Sequence, residues 1–566
     1  MGLKTLLLTI VLVILSMSCC YAQDMGQVDV KHPIKINGSL NLQLQSYSAV
    51  GIPDREQAFT WMINGSPTIT ILGVALPFNF LFSNFNNRYY QPFNQFGVSP
   101  YYKWVKIHLG YRNVQFSPFT LAGYRMLGVG IELTPKGFRF GFMYGQLNRS
   151  TTIDSLQNAN PLAFRTQPTY SRMAYAVKVG VGNEKNYIDL SFLKGWDQVN
   201  SLSAQFQDSV APQENKVVGL SLQKTFLKRI VWKTDLGFSI YTLDTRATQY
   251  TDVANTFFTE KFISDLVKPT IATQYLLAGE TRLGYHGNRL GADLIYRRVD
   301  PDYKSMGAYF FQTDIEQYSI APYAHLDSGK LSISGNGGIQ RDNLYNLKTA
   351  TSQNIIASIN ISFNPSSKFG VNANYSNYGI TQNPTRISSQ SDLFKQVSDN
   401  YTLTPYFNFS NQHSVNNIVF VACYEQLTAP TANINSSPNQ NTMVGSFSYS
   451  HTWLPKGISG NLSLNYNNTT ITGQGDIGSY GVGIGTGAAF FKKKVNVNLN
   501  ATYNSNYFNS TGNGYTLLTA LSCTIPITQK QSLQLYGSYL DNNSLNTTVV
   551  QTFSEYTFRI NYGFTF

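Results

Sequence analysis

The sequence predicts an all-β chain, a closed antiparallel transmembrane β-barrel of about 26 strands (range 22–26), with short turns at one rim and longer loops at the other. Three observations carry this. Apolar and polar residues alternate with period two over many segments, the polar partners are Asn, Ser, Gln, Thr and Gly rather than charges, and Tyr and Phe crowd the segment ends. Of 566 residues only 13% are charged and 14% are aromatic, with 44 Gly and 4 Cys. A soluble domain carries about 25% charge, and a disordered chain has few aromatics. A helical membrane protein needs apolar runs of roughly 20 residues. A mean hydropathy of −0.18 leaves no room for several of them.

The N-terminus holds the one apolar run. Lys4 precedes Leu6 to Leu15, and Ser16-Met17-Ser18-Cys19-Cys20-Tyr21-Ala22 follows. A charge, a short apolar core and small residues predict a secretory signal peptide over 1–22, cleaved after Ala22. Its loss removes Lys4 and takes the formal net charge from +12 to +11. Residues 23–566 then read as one barrel domain. Cys423 and Cys523, each inside a strand-like segment, read as small hydrophobes rather than a disulfide.

Residues 494–504 show the period best. Val495, Val497, Leu499, Ala501 and Tyr503 alternate with Asn496, Asn498, Asn500, Thr502 and Asn504. Successive strand side chains point to opposite faces, so one side is apolar and the other polar. The pattern recurs near 34–46, 368–376 and 457–467. Segments pair through short turns such as Pro135-Lys136-Gly137, Gly182-Asn183-Glu184-Lys185, Pro455-Lys456-Gly457 and Thr528-Gln529-Lys530. Longer polar stretches, 149–170, 197–215, 242–274 and 377–399, separate the pairs. This asymmetry predicts periplasmic turns and extracellular loops. A soluble β-sandwich shares the period but carries charge on its wet face. The segments number 26, an even count that puts both chain ends at the turn rim.

The last segment places Phe558, Ile560, Tyr562, Phe564 and Phe566 in one alternating row. This row resembles the C-terminal signature of Gram-negative outer-membrane β-barrel proteins. The resemblance implies integral outer-membrane localisation and insertion by the barrel-assembly machinery; physically, this last strand is also the one that closes the ring against 34–46. It covers the last nine residues and names no member.

Twenty-six strands give a barrel roughly 50 Å across, too wide to stand empty. TonB-dependent receptors resemble this chain in size class but have a folded plug before the first strand. Here the first strand follows the cleavage site by about a dozen residues. Lipopolysaccharide-inserting and usher barrels add periplasmic domains that this sequence lacks. Loops or a partner must fill the lumen. In the longest loop, 242–274, Phe258, Phe262, Ile263 and Leu266 recur at helical spacing before Pro269, which predicts a short amphipathic constriction helix or one packed among the outer loops.

Charges on the polar faces concentrate in the first half: Lys106, His108, Arg112, Glu132, Arg139, Lys178, Asp189, Lys233, Asp235, Glu280, Arg282, Asp293 and Arg297. With Leu133 facing Phe138, Glu132 lies opposite Arg139. With Val179 facing Ile188, Lys178 meets Asp189, and a hairpin about 287–288 sets Arg282 opposite Asp293. Such pairs stabilise by about 0.2–1 kcal/mol each. They read either as wall-stiffening ladders or as an electrostatic screen and anchor for a plugging loop. Much of the net charge lies in turns, as at Lys136, Lys185, Lys228, Arg229 and Lys530, where it can meet anionic lipid. It gives no ground for nucleic-acid binding.

No catalytic, metal or cofactor site is expected. His286, His325, His413 and His451 fall near turns on separate hairpins, and His108 reads as a neighbour of Lys106 rather than of a carboxylate. No Gly-x-Ser-x-Gly or His-Glu-x-x-His motif occurs. The expectation is a non-enzyme: a porin-like channel or transporter for solutes. The alternative is a structural or partner-dependent barrel, for surface binding or as the membrane part of an export or assembly complex. Implied partners are outer-membrane lipid, the assembly machinery and a plugging lipoprotein or periplasmic protein.

Overall fold

The computed structural model describes residues 33–84, 94–152, 168–249, 269–309, 311–348, 350–384, 394–428, 439–491, 494–545 and 551–566. The expected signal segment and most of the expected constriction helix lie outside them. One sheet of 29 strand segments closes on itself, and three of its strands are interrupted once, giving a 26-strand antiparallel barrel.

The first interrupted strand, β1, is Ile34–Asn37 with Ser39–Val50, and β2 is Phe59–Gly65 with Thr68–Ile71. Strand β3 is Val74–Ser83, β4 is Gln95–Val98 with Tyr101–Tyr102, β5 is Val105–Gln115 and β6 is Ala122–Leu133. Then follow β7 (Phe138–Asn148), β8 (Ser171–Gly182), β9 (Tyr187–Gln198), β10 (Glu214–Phe226), β11 (Ile230–Thr242), β12 (Thr273–His286) and β13 (Leu290–Val299). The second half comprises β14 (Ile315–Leu326), β15 (Leu331–Arg341), β16 (Ala350–Phe363), β17 (Phe369–Pro384), β18 (Phe394–Ser410), β19 (Ser414–Thr428) and β20 (Gln440–Trp453). It ends with β21 (Ile458–Ile471), β22 (Gly475–Phe490), β23 (Val495–Phe508), β24 (Thr511–Thr528), β25 (Gln531–Ser544) and β26 (Phe553–Thr565).

Closure runs from Ser39 opposite Thr565 to Val50 opposite Ser554. It turns Phe558 outward, half-exposed, in one row with Ile560, Tyr562 and Phe564. Large apolar side chains such as Ile359, Leu403, Leu464, Ile484 and Leu499 are exposed on this outer face, as a lipid-facing band requires. Where β1 bends, Gly38 has φ +133, and a Cβ there would lie 2.5 Å from the Ser66 carbonyl oxygen. Only glycine fits that approach.

Four expectations are corrected. The hairpin registers sit two residues further on: Phe140 faces Leu133, Val181 faces Ile188 and Gly284 faces Asp293. Each turn is centred one residue later, closed by Phe138 N–H to the Pro135 carbonyl, Asn183 N–H to Asn186 and Gly287 N–H to Leu290. A shift of two keeps every side chain on its face but changes its partner. The 377–399 stretch is mostly strand, divided between β17 and β18. His286 and His325 are neighbours, both tilted against the Tyr323 ring with centroids 6.4 and 5.5 Å away. Cys423, expected as a small hydrophobe, lies on the polar face with its Sγ 3.6 Å from Asn400 Oδ1.

Candidate functional site

Two connections at the loop rim fold into the lumen. Residues 116–121 join β5 to β6, and residues 300–314 join β13 to β14. Phe116, Phe119 and Leu121 of the first and Tyr303 and Met306 of the second are buried with Met126, Met143, Leu193, Val217 and Leu276 of the wall. Apolar side chains on a loop are unstable in water, at roughly 1.5–3 kcal/mol for each one buried, and the inner wall receives them. Glycines between those wall residues leave the space the loops occupy. A Cβ on Gly237 would lie 2.5 Å from both Phe119 Cβ and Tyr303 Oη, and one on Gly195 would lie 2.9 Å from Met306 Sδ.

Hydrogen bonds fix the two loops to each other and to the wall. Tyr303 Oη donates to the Phe119 carbonyl at 2.7 Å, and Ser305 Oγ donates to the Thr120 carbonyl at 2.6 Å. Met306 N–H donates to Asn215 Oδ1 at 3.0 Å, and Ser239 Oγ donates to the Lys304 carbonyl at 2.7 Å. Asn215, fully buried, also donates to Ser239 Oγ at 2.8 Å. The ordering entropy of a loop is thereby offset by both burial and satisfied polar groups.

The far end of the 300–314 loop is clamped by Asp314, which accepts Leu344 N–H at 2.9 Å and pairs with Lys348. Burial alone would raise its carboxyl. The Lys348 ammonium and the N–H groups of Leu344 and Asn343 outweigh that and hold it below its ordinary value. Because the folded value is the lower one, the clamp's contribution is complete above the usual carboxylate range and is lost as pH falls through the folded value. Acidification to well below the usual carboxylate range is expected to loosen this loop, read as faster limited proteolysis by an acid-stable protease. Asp314→Asn should remove most of that dependence.

Turnward of the plug, the register strings the expected charges along one inner row: Arg139, Gly180, Asp189, Ser221, Asp235, Glu280 and Arg297. Glu132 does not meet Arg139, nor Lys178 Asp189. Arg139 instead reaches across Gly180 to Asp189 in a bidentate pair at 2.7 and 2.9 Å. A Cβ on Gly180 would lie 2.0 Å from that carboxylate. Lys178 stacks on the Phe116 ring at 5.1 Å, a wall cation against the inward loop. Asp235 accepts from Ser221 Oγ at 2.5 Å and pairs with Lys233 at 3.5 Å. Arg282 bridges Glu280 and Asp293 at 3.5 and 3.7 Å, and His286 also meets Asp293 at 2.8 Å. The Arg297 Nε is buried without a hydrogen-bond partner among the described residues.

Lys106, His108, Arg112 and Glu132 form a separate group on β5 and β6. Lys106 lies opposite Glu132, and His108 opposite Gly130. With no side chain at Gly130, the Glu132 carboxylate meets His108 Nε2 at 2.7 Å as well as Lys106 Nζ at 3.6 Å. This corrects the expectation that His108 has no carboxylate beside it. An ionised carboxylate only accepts, so Nε2 carries the proton, and a neutral ring then accepts from Ser99 Oγ at Nδ1, 3.0 Å away. A serine, a histidine and a carboxylate are thus brought together, and their separation no longer argues against catalysis. Arg112 Nη2 donates to the Pro77 carbonyl at 3.1 Å.

Sequence reasoning missed both inward loops. A signal was present: Met143, Leu193 and Val217 break the polar alternation on the inner faces of β7, β9 and β10, beside Gly141, Gly195 and Gly219. No group of three or more His, Cys, Asp or Glu with metal-holding geometry occurs among the described residues.

No family model matches the chain, and no curated protein does. Among solved structures the chain is similar to the P pilus usher (PapC) translocation pore, at 10% identity and TM-score 0.34, covering 94% of this chain and 99% of that one. It is similar to the copper transporter OprC at 8% identity and TM-score 0.39, covering 94% and 80%. The ferric yersiniabactin uptake receptor FyuA from Yersinia pestis matches at 9% identity and TM-score 0.38, also covering 94% and 80%. Likenesses this distant leave the argument with the chain's own wall. Closed, edgeless, apolar outside and polar within, that wall is a transmembrane β-barrel.

Proposed function

We propose that the chain is a porin-like channel that moves polar solutes across the outer membrane. The asymmetry of the lumen supports this. One side, over β7 to β13, is covered by the bonded inward loops. The other side is walled by amides and hydroxyls: Gly481, Gly483, Gly485 and Gly487 leave β22 bare, and a Cβ on Gly485 would lie 2.0 Å from Asn461 Oδ1 and 2.1 Å from Asn500 Oδ1. A constricted path along a neutral, hydrogen-bonding wall suits hydrated solutes, since polar lining exchanges bonds with water at little net cost. Insertion would use the barrel-assembly machinery through the C-terminal row, with the long loops outside.

Purified protein in a planar bilayer is expected to show discrete openings. Replacing residues 303–308 by a Gly-Ser linker should enlarge them. A silent barrel that co-purifies with a lipoprotein would overturn the channel reading in favour of a partner-dependent one.

A further inference from the structure

The lumen holds a second feature that the plug does not use. Where β4 meets β5, described pairing is confined to Gly97 with Gly110, Val98 with Leu109, Tyr101 with Lys106 and Tyr102 with Val105. Gly110 has φ +84, and a Cβ there would lie 2.5 Å from the Phe96 carbonyl oxygen, so the strand is bent at this seam. A cavity of about 680 Å³ opens beside it, within the 300–1,000 Å³ range of small-molecule sites.

Its lining has one sign of charge. Lys106, Arg112 and Arg125 face it with the His108 ring and the amides of Asn41 and Asn64, and no carboxylate is among the lining residues described. Glu132, the nearby acid, lies behind His108 and is engaged by it and by Lys106. The cations are held in place. Arg125 Nε donates to Asn113 at 3.1 Å, and Arg112, largely buried, donates to a backbone carbonyl. Fixed guanidinium groups suit oxyanions, because their paired donors match carboxylate or phosphate oxygens. The amides add donors and acceptors for hydroxyls.

We infer that this cavity is a solute-binding subsite of the lumen, taking a small hydroxyl-rich anion such as a sugar phosphate or sugar acid. The inference deepens the transport reading and rests on it for its role, since a subsite on the path would raise the local concentration of anionic solutes.

Calorimetry on the detergent-solubilised full chain tests it, with glucose 6-phosphate, glucose and inorganic phosphate as probes. Glucose 6-phosphate is expected to bind saturably, at least about tenfold tighter than glucose, with affinity falling as salt rises. Lys106→Gln with Arg125→Gln should weaken it by at least about tenfold, while Lys106→Arg keeps it. Dihexanoyl phosphatidate, as competitor, should displace the sugar phosphate no better than inorganic phosphate does. Tighter displacement would assign the site to a lipid headgroup and overturn the solute assignment. Equal affinity for glucose and its phosphate, or an unchanged double variant, also overturns it. Binding by a barrel that is silent in bilayers removes the transport reading and leaves the site; conduction without binding does the reverse.

Discussion

Tyr303→Ala is expected to open the lumen. The ring lies edge-on to Phe119 at 6.0 Å and to Phe311 at 5.1 Å, and its hydroxyl holds the Phe119 carbonyl. Removing a buried aromatic side chain costs about 3–5 kcal/mol. Here that cost falls on loop docking rather than on the wall, whose hydrogen-bonded ladder does not include residue 303. A loss of about 3 kcal/mol shifts the docked-to-undocked ratio by about two decades. The variant should therefore flicker to a larger conductance level and sensitise cells to bulky antibiotics such as vancomycin. Tyr303→Phe keeps the ring and loses one hydrogen bond, worth about 1 kcal/mol, so it should behave nearly as the parent. Identical conductance and sensitivity for the alanine variant would show that the plug does not lie in the conduction path.

The second large effect is on the wall. Arg139→Ala leaves the Asp189 carboxylate, whose side chain is 4% exposed, without its bidentate partner. Breaking a buried ion pair costs about 3–5 kcal/mol, because the stranded charge stays desolvated. Ser221 and Asp235 lie next along the row, and Lys178, the other cation that feels the Asp189 carboxylate, stacks on the Phe116 ring instead of bonding that carboxylate. Urea unfolding in micelles, followed by the mobility shift of the unheated barrel, should show a lower midpoint for Arg139→Ala. Arg139→Gln with Asp189→Asn should recover most of it, since neither side chain is then charged. Gly180→Ala should also destabilise, its methyl occupying the space where the Asp189 carboxylate crosses the strand. A double variant no better than Arg139→Ala would mean that packing, not charge, holds this position.

Strand positions were legible because a membrane wall allows few solutions. Every strand needs one lipid-facing side, so Val495 to Tyr503 and Phe558 to Phe566 declare both face and extent. Partners were less legible. The turn Pro135-Lys136-Gly137 reads the same whether it is centred before or on Lys136 and Gly137, and one step there moves Glu132 from Arg139 to Gly141. The Ser99, His108 and Glu132 contact depended on the bare Cα of Gly130 and on the break at Pro100. Neither marks itself in a one-dimensional pattern.

The sequence by itself determined the wall: its strand number to within 22–26, its two faces, its antiparallel order and the joining of first strand to last. Period-two alternation is local, and each strand carries its own copy. Only the tertiary structure decided what stands inside. The Phe119 loop and the Tyr303 loop are 184 residues apart where they bond, and ring closure alone brings them over the same glycines. Contacts so distant in the chain follow from where a closed barrel places its rim, not from any pattern within either segment.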